Sequence, residues 1–175
     1  MASIERTGAV TFKGNPLTLI GPELKKGDKA PNFKVLANDL SEVTLDSSKG
    51  KIRVISVVPS LDTPICDLQT KRFNEEAAKM PKNVVVLTLS TDLPFAQKRW
   101  CGAAGASNVQ TLSDHRDTSF GTAYGVLIKE LRLLARSIFI VDPQDKLLYV
   151  EYVKEVTQHP NYDQALSALQ ASARA

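Results

Sequence analysis

The chain has 175 residues, a length that suits one domain with a real hydrophobic core, and its 43% apolar and 23% charged residues lie near the globular average. The net charge of +3 is mild, and the basic pairs Lys25-Lys26, Lys71-Arg72 and Lys98-Arg99 are scattered among acidic residues, which argues against a nucleic-acid surface. No run approaches the roughly 18 apolar residues of a membrane span, and Met1-Ala2-Ser3-Ile4-Glu5-Arg6 lacks the basic-then-apolar order of a signal peptide, so no membrane association and a cytoplasmic location are expected.

From the N-terminus, Val10-Thr11-Phe12 and Leu17-Thr18-Leu19 flank the turn Lys13-Gly14-Asn15-Pro16 and read as a hairpin. A loop rich in Gly, Pro and Lys follows, from Gly21 to Pro31. The short β-branched run Ile52 to Val58 reads as a buried strand that Pro59 ends. A helix is expected from about Pro64 to Met80, with Pro81 just beyond it. Val84 to Leu89 is the next strand. Pro94 to Cys101 reads as a second helix, with Asp92 near its cap and Gly102 just past its end. This strand-helix alternation predicts parallel strands joined by right-handed crossovers. Ser137 to Val141 and Leu147 to Tyr152, joined by the turn Asp142 to Lys146, form an antiparallel pair, and a last helix from about Tyr162 to Ala171 carries Ala165, Leu166 and Leu169 on one face. With no repeat, low-complexity tract or linker, residues 1–175 are expected to form a single α/β domain of thioredoxin-like type. It would have a mixed central sheet, flanking helices and a hairpin extension over 1–20.

The chemistry lies with two cysteines, Cys66 and Cys101, which form neither a CxxC pair nor a zinc quartet. A reducing cytosol disfavours a permanent structural disulfide, so each is either a small buried apolar residue or a reactive thiol. Thr63 suits an N-cap and Pro64 the first helical position, which puts Cys66 third in its helix. There unpaired backbone N–H groups and the positive end of the helix dipole favour thiolate, the nucleophilic form. Cys66 shares a helix face with Phe73, Ala77 and Met80, so it is expected at the mouth of a core-facing pocket. A buried structural cysteine behind a plain cap fits the same local facts.

The flanking pattern separates those readings. Pro59, Thr63 and Cys66 form Pro-x-x-x-Thr-x-x-Cys, which resembles the peroxidatic motif of the peroxiredoxin family. Leu93-Pro94-Phe95-Ala96-Gln97, the following Cys101-Gly102, Gly14-Asn15-Pro16 in the hairpin and Leu134-Ala135-Arg136 are similar to the bacterial thiol peroxidase branch, an atypical two-cysteine type. The resemblance covers nearly the whole chain.

It implies that Cys66 attacks a hydroperoxide, that Cys101 resolves the product as an intramolecular disulfide and that Arg136 contacts sulfur and peroxide. Charge developing on the departing oxygen calls for fixed donors, among which Thr63 can offer its hydroxyl, and Pro59 would shield the thiolate from water. The resemblance also implies hydrogen peroxide and organic hydroperoxides as substrates, thioredoxin as the reductant, a homodimer and no bound cofactor. With those roles, helix geometry adds an expectation. Cys101 lies some seven residues into its helix and Cys66 in the first turn of its own, an axial offset of roughly 10 Å, whereas a disulfide needs Cα atoms within about 7 Å. Local unwinding should therefore precede bond formation.

Arg53, Arg132, Lys71 and Arg72 are weaker candidates, expected at the surface, and His115 and His159 have no ligand spacing and receive no role. A general disulfide oxidoreductase would carry a second cysteine three positions from the first, but those positions hold Thr63 and Gln69. A non-catalytic redox sensor would not require Pro59, Thr63, Cys66 and Arg136 together.

Overall fold

The most β-branched runs of the sequence occupy the middle of a sheet in a computed structural model of the chain, which describes residues 3–173. Met1 and Ala2 of the N-terminal extension and residues 174–175 lie outside the described residues. In chain order the strands are β1 (Glu5–Phe12), β2 (Asn15–Ile20), β3 (Lys34–Leu36), β4 (Glu42–Thr44), β5 (Ile52–Val57), β6 (Val84–Ser90), β7 (Gln110–Ser113), β8 (Leu127–Ile128), β9 (Ser137–Val141) and β10 (Leu147–Tyr152). The helices are α1 (Pro64–Ala77), α2 (Pro94–Ala104), α3 (Ser119–Ala123) and α4 (Tyr162–Ala173).

Seven strands pair in the order β10-β9-β5-β6-β7-β3-β4. The strands β5, β6 and β7 run parallel, while β9 pairs antiparallel with both β5 and β10, so the sheet is mixed. Side chains alternate across it as the pleat requires. On one face Ile52 and Val54 of β5, Val86 of β6 and Ile138 and Ile140 of β9 pack against Phe73 of α1 and Ala165 and Leu169 of α4. On the other, Ile55, Val57, Leu87, Leu89, Phe139 and Val141 pack against Phe33, Phe120 and Tyr124. The N-terminal hairpin joins β8 in a separate three-stranded antiparallel sheet. Among the described residues no helix is long and apolar enough to cross a membrane.

Several boundaries differ from expectation for local reasons. The hairpin turn shrinks to Lys13-Gly14, both at positive φ (50° and 81°), and Asn15 and Pro16 already belong to β2. Helix α1 ends at Ala77, because Lys79 and Met80 donate to carbonyls three residues back rather than four, the tightening common at a helix end. Gly102 lies inside α2. The helix runs on to Ala104 and ends at Gly105, whose φ of 63° supplies the left-handed cap. Asp92 does not cap α2: the N-cap position is Leu93, which has no side-chain bond to the helix.

The hairpin docks over the far end of the chain. Thr11 N–H donates to the Lys154 carbonyl at 2.7 Å, and Val156 N–H donates to the Thr11 carbonyl at 2.9 Å. The Glu155 carboxylate receives bonds from Thr157, Gly14 and Thr11, and this donor set, led by the Thr157 hydroxyl, holds its carboxyl down to about 2. On the neighbouring side Thr18 N–H donates to both oxygens of Glu130, at 3.0 and 2.9 Å. These ties bring Phe12, at the end of β1, beside the loops that flank Arg136.

Candidate active site

The end of β5 and the start of α1 deliver Pro59, Thr63 and Cys66 to one place, and the residue just before β9 delivers Arg136 to the same place from the opposite side. Cys66 is 0% exposed and packs with Val58, Leu61 and Trp100. Arg136 is 2% exposed, a burial that an arginine tolerates only with its donors satisfied. Its three donors diverge: Nε to the Val156 carbonyl at 2.9 Å, Nη1 to Gln69 Oε1 at 2.8 Å and Nη2 to Cys66 Sγ at 3.3 Å. Gln69 is itself fully buried, and its Nε2 donates to Ser56 Oγ at 2.8 Å. A fixed positive charge thus rests against the sulfur, and the first turn of α1 adds its dipole on the same atom.

An adjoining, largely apolar cavity of about 440 Å³ is lined by Pro59, Thr63 and Arg136 together with Phe12, Ile65, Ile128, Leu131, Leu133 and Val156. Arg136 is the residue that both lines the cavity and contacts the sulfur. Cys66 itself does not line the cavity. It sits behind that floor and not at the mouth of a pocket as its helix position suggested, because Leu61, Val58 and Trp100 close over the first turn. Thr63 holds the N-cap position with extended φ and ψ, yet its hydroxyl donates to the Ser60 carbonyl at 3.0 Å and makes no cap bond.

Cys101 is a free thiol, as is Cys66. Its sulfur lies 3.4 Å from Thr111 Oγ1 on β7, in a second cleft that includes Asn38 and Gln110. No residue of that cleft lines the cavity beside Cys66. The two thiols therefore occupy separate environments in this state.

Sequence reasoning missed Gln69 as a partner, although it lies one turn after Cys66 on the same helix face. It also missed Asp92, whose carboxylate accepts Ser60 Oγ and Leu61 N–H, both at 2.8 Å, and so ties down the loop leading into α1. The apolar wall gave no signal, since it joins residues from both ends of the chain. Arg53 overturns its expected surface place. It is 0% exposed on central strand β5, ion-paired with Asp145 and bonded through Nη1 to the Lys51 carbonyl at 2.7 Å. Lys71 and Arg72 form helix-surface pairs with Asp67 and Glu76, and Arg132 is exposed. His115 and His159 are exposed, the latter 2.8 Å from Tyr162 Oη. Among the described residues no group of three or more His, Cys, Asp or Glu side chains could hold a metal ion.

Comparison with known proteins matches residues 25–166 to the Redoxin family. The chain is 65% identical over 164 residues to the thiol peroxidase of Halalkalibacterium halodurans, covering 94% of this chain and 98% of that protein. It is 60% identical over 162 residues to the thiol peroxidase of Bacillus subtilis, covering 93% and 96%. Among solved structures, a peroxiredoxin-like protein from Aquifex aeolicus superposes with a TM-score of 0.86 at 45% identity, covering 97% of this chain and 99% of that one.

Proposed function

The chain belongs to the redoxin family and is a peroxiredoxin-type thiol peroxidase with a thioredoxin-like fold, and from that premise we propose that Cys66 is its peroxidatic thiol and Cys101 its resolving one. The observation that carries the reading is the 3.3 Å contact between Arg136 Nη2 and Cys66 Sγ at the floor of an apolar cavity.

The chemistry follows from those positions. The Cys66 thiolate attacks the terminal oxygen of the hydroperoxide, the O–O bond breaks, and the departing oxygen takes a proton and leaves as water or an alcohol. Sulfur is oxidised to sulfenic acid and the peroxide is reduced. Negative charge develops on the departing oxygen, where fixed donors lower the barrier. Arg136 lies against the sulfur and lines the cavity, and it supplies the opposing positive charge. Thr63 supplies a hydroxyl after it releases the Ser60 carbonyl, and Pro59 keeps water from the sulfur. Gln69 holds the guanidinium plane from behind. The cavity wall of Phe12, Ile65, Ile128, Leu131, Leu133 and Val156 favours an alkyl or lipid hydroperoxide over hydrogen peroxide alone.

Cys101 then attacks the sulfenic sulfur, its proton leaves with the sulfenic oxygen as water, and an intramolecular disulfide remains. Thioredoxin, a dithiol, reduces that bond by exchange and becomes a disulfide in turn. We read residues 1–175 as one domain with 1–20 as its hairpin extension, working as a homodimer in a reducing, cytoplasmic setting and needing no bound cofactor.

The test is peroxide consumption with thioredoxin, its reductase and NADPH. Cys66→Ser should be inactive. Cys101→Ser should give a single stoichiometric burst and then stop. Retained turnover by Cys66→Ser would sink the assignment.

A further inference from the structure

Trp100 is the only tryptophan of the sequence, and it joins the surroundings of both cysteines. It precedes Cys101 in α2, its ring packs on the cluster of Val58, Leu61 and Cys66, and its indole Nε1 donates to Asp67 Oδ1 at 2.9 Å. Asp67 is the residue after Cys66. Its other oxygen accepts Lys71 Nζ at 2.8 Å, which holds the carboxylate facing the indole. The N-terminus of α1 has no side-chain cap bond of its own, so its first turns are held by tertiary contacts of this kind.

We propose that the Trp100–Asp67 hydrogen bond is a latch that positions the first turns of α1 against α2, and that its opening governs how fast Cys101 reaches the oxidised Cys66. The latch rests on the reading of Cys101 as the resolving thiol. Cys66 is closed beneath Leu61, Val58 and Trp100, and Cys101 lies in a separate cleft, so the two sulfurs meet only when α1, α2 or both shift. Any such shift that separates the helices must first part the indole from Asp67.

The chemistry sets two fates in competition. In one, Cys101 displaces the sulfenic oxygen, which leaves as water carrying the thiol proton. In the other, a second hydroperoxide transfers oxygen to the sulfenate, giving sulfinic acid and an alcohol or water. The first needs the latch open. The second needs the closed pocket. Trp100 and Asp67 are therefore positioning residues: they touch no substrate, and they set the partition between disulfide and overoxidation.

Three variants test this in the full chain. Trp100→Phe keeps an aromatic ring on Cys66 and removes the donor. Asp67→Leu removes the acceptor. Asp67→Asn keeps an acceptor oxygen and serves as the conservative rescue. Mass spectrometry after rapid mixing with one equivalent of hydroperoxide follows sulfenic acid and disulfide, and a peroxide titration gives the dose at which half the protein is sulfinic. Trp100→Phe and Asp67→Leu should form the disulfide about tenfold faster and require about tenfold more peroxide for overoxidation, the effect of losing one hydrogen bond. Asp67→Asn should stay near wild type, and the first oxidation should keep its rate in all three. Disulfide formation at or below the wild-type rate in Trp100→Phe would overturn the latch, whether or not Asp67→Leu folds. Absence of any disulfide in the oxidised wild type would overturn the resolving role itself, and the latch with it.

Discussion

Replacing Arg136 by methionine keeps most of the side chain's length and removes its charge and all three donors. Two buried acceptors then lose their partners, Gln69 Oε1 and the Val156 carbonyl, in residues that are 0% and 3% exposed. An orphaned buried acceptor costs about 1–3 kcal/mol, so the fold should lose about 3 kcal/mol, or about 10 °C in Tm for a domain of this size. The catalytic loss should be of a different order. Removing one preorganised donor from developing charge costs about 10²–10³ in rate, and here the group removed also neutralises the attacking sulfur.

Stopped-flow oxidation with limiting hydroperoxide, followed by Trp100 fluorescence, measures the second-order rate directly. Arg136→Lys should recover part of it, since an ammonium supplies charge but cannot reach three diverging partners. Gln69→Leu should lower the rate through the same guanidinium, so the double variant with Arg136→Met should lose less than the product of the two single losses. A folded Arg136→Met that reacts within about threefold of wild type would refute the role of the guanidinium in the chemical step.

Two further outcomes follow from the cavity and from a buried carboxylate. Phe12→Ala opens the apolar wall, so KM for a bulky alkyl hydroperoxide should rise roughly fivefold, while kcat/KM for hydrogen peroxide stays unchanged. Equal losses on both substrates would show that Phe12 only supports the fold. Asp114 is 1% exposed, and burial pushes its carboxyl up from 3.8 to about 6, against the N–H groups of Gly121 and Phe120 that it accepts. A carboxyl raised in the folded state binds its proton more tightly there than when unfolded. Its contribution to stability is therefore complete below about pH 4 and is lost as pH rises through about 6, an effect on the order of 2–3 kcal/mol. Thermal melts from pH 4 to pH 7 should show that decline in wild type and a flatter profile in Asp114→Asn; matching slopes in the two proteins would rule Asp114 out as its source.

The parts of this protein that were legible in its sequence are those governed by neighbours in the chain. Pro64 after Thr63 starts a helix by rules that act over four residues, so the place of Cys66 in the third helical position could be read directly. The β-branched runs of β5, β6 and β9 announced a buried sheet for the same reason. Even there, helix ends needed more than spacing: Gly102 and Gly105 look alike in sequence, and only the second adopts the left-handed backbone that ends α2.

The depth of Cys66, the second hydrogen-bond partner of Arg136 and the apolar wall were decided by tertiary structure alone. Cys66 is closed by Trp100 from another helix, Gln69 of α1 meets Arg136 from the segment before β9, and Phe12 reaches Val156 from the opposite end of the chain. Likewise Arg53 reads as a surface charge until β5 is placed at the centre of the sheet beside Asp145. Burial and charge pairing depend on which surfaces exclude water from one another, and that is a property of the folded packing, which no local window of residues contains.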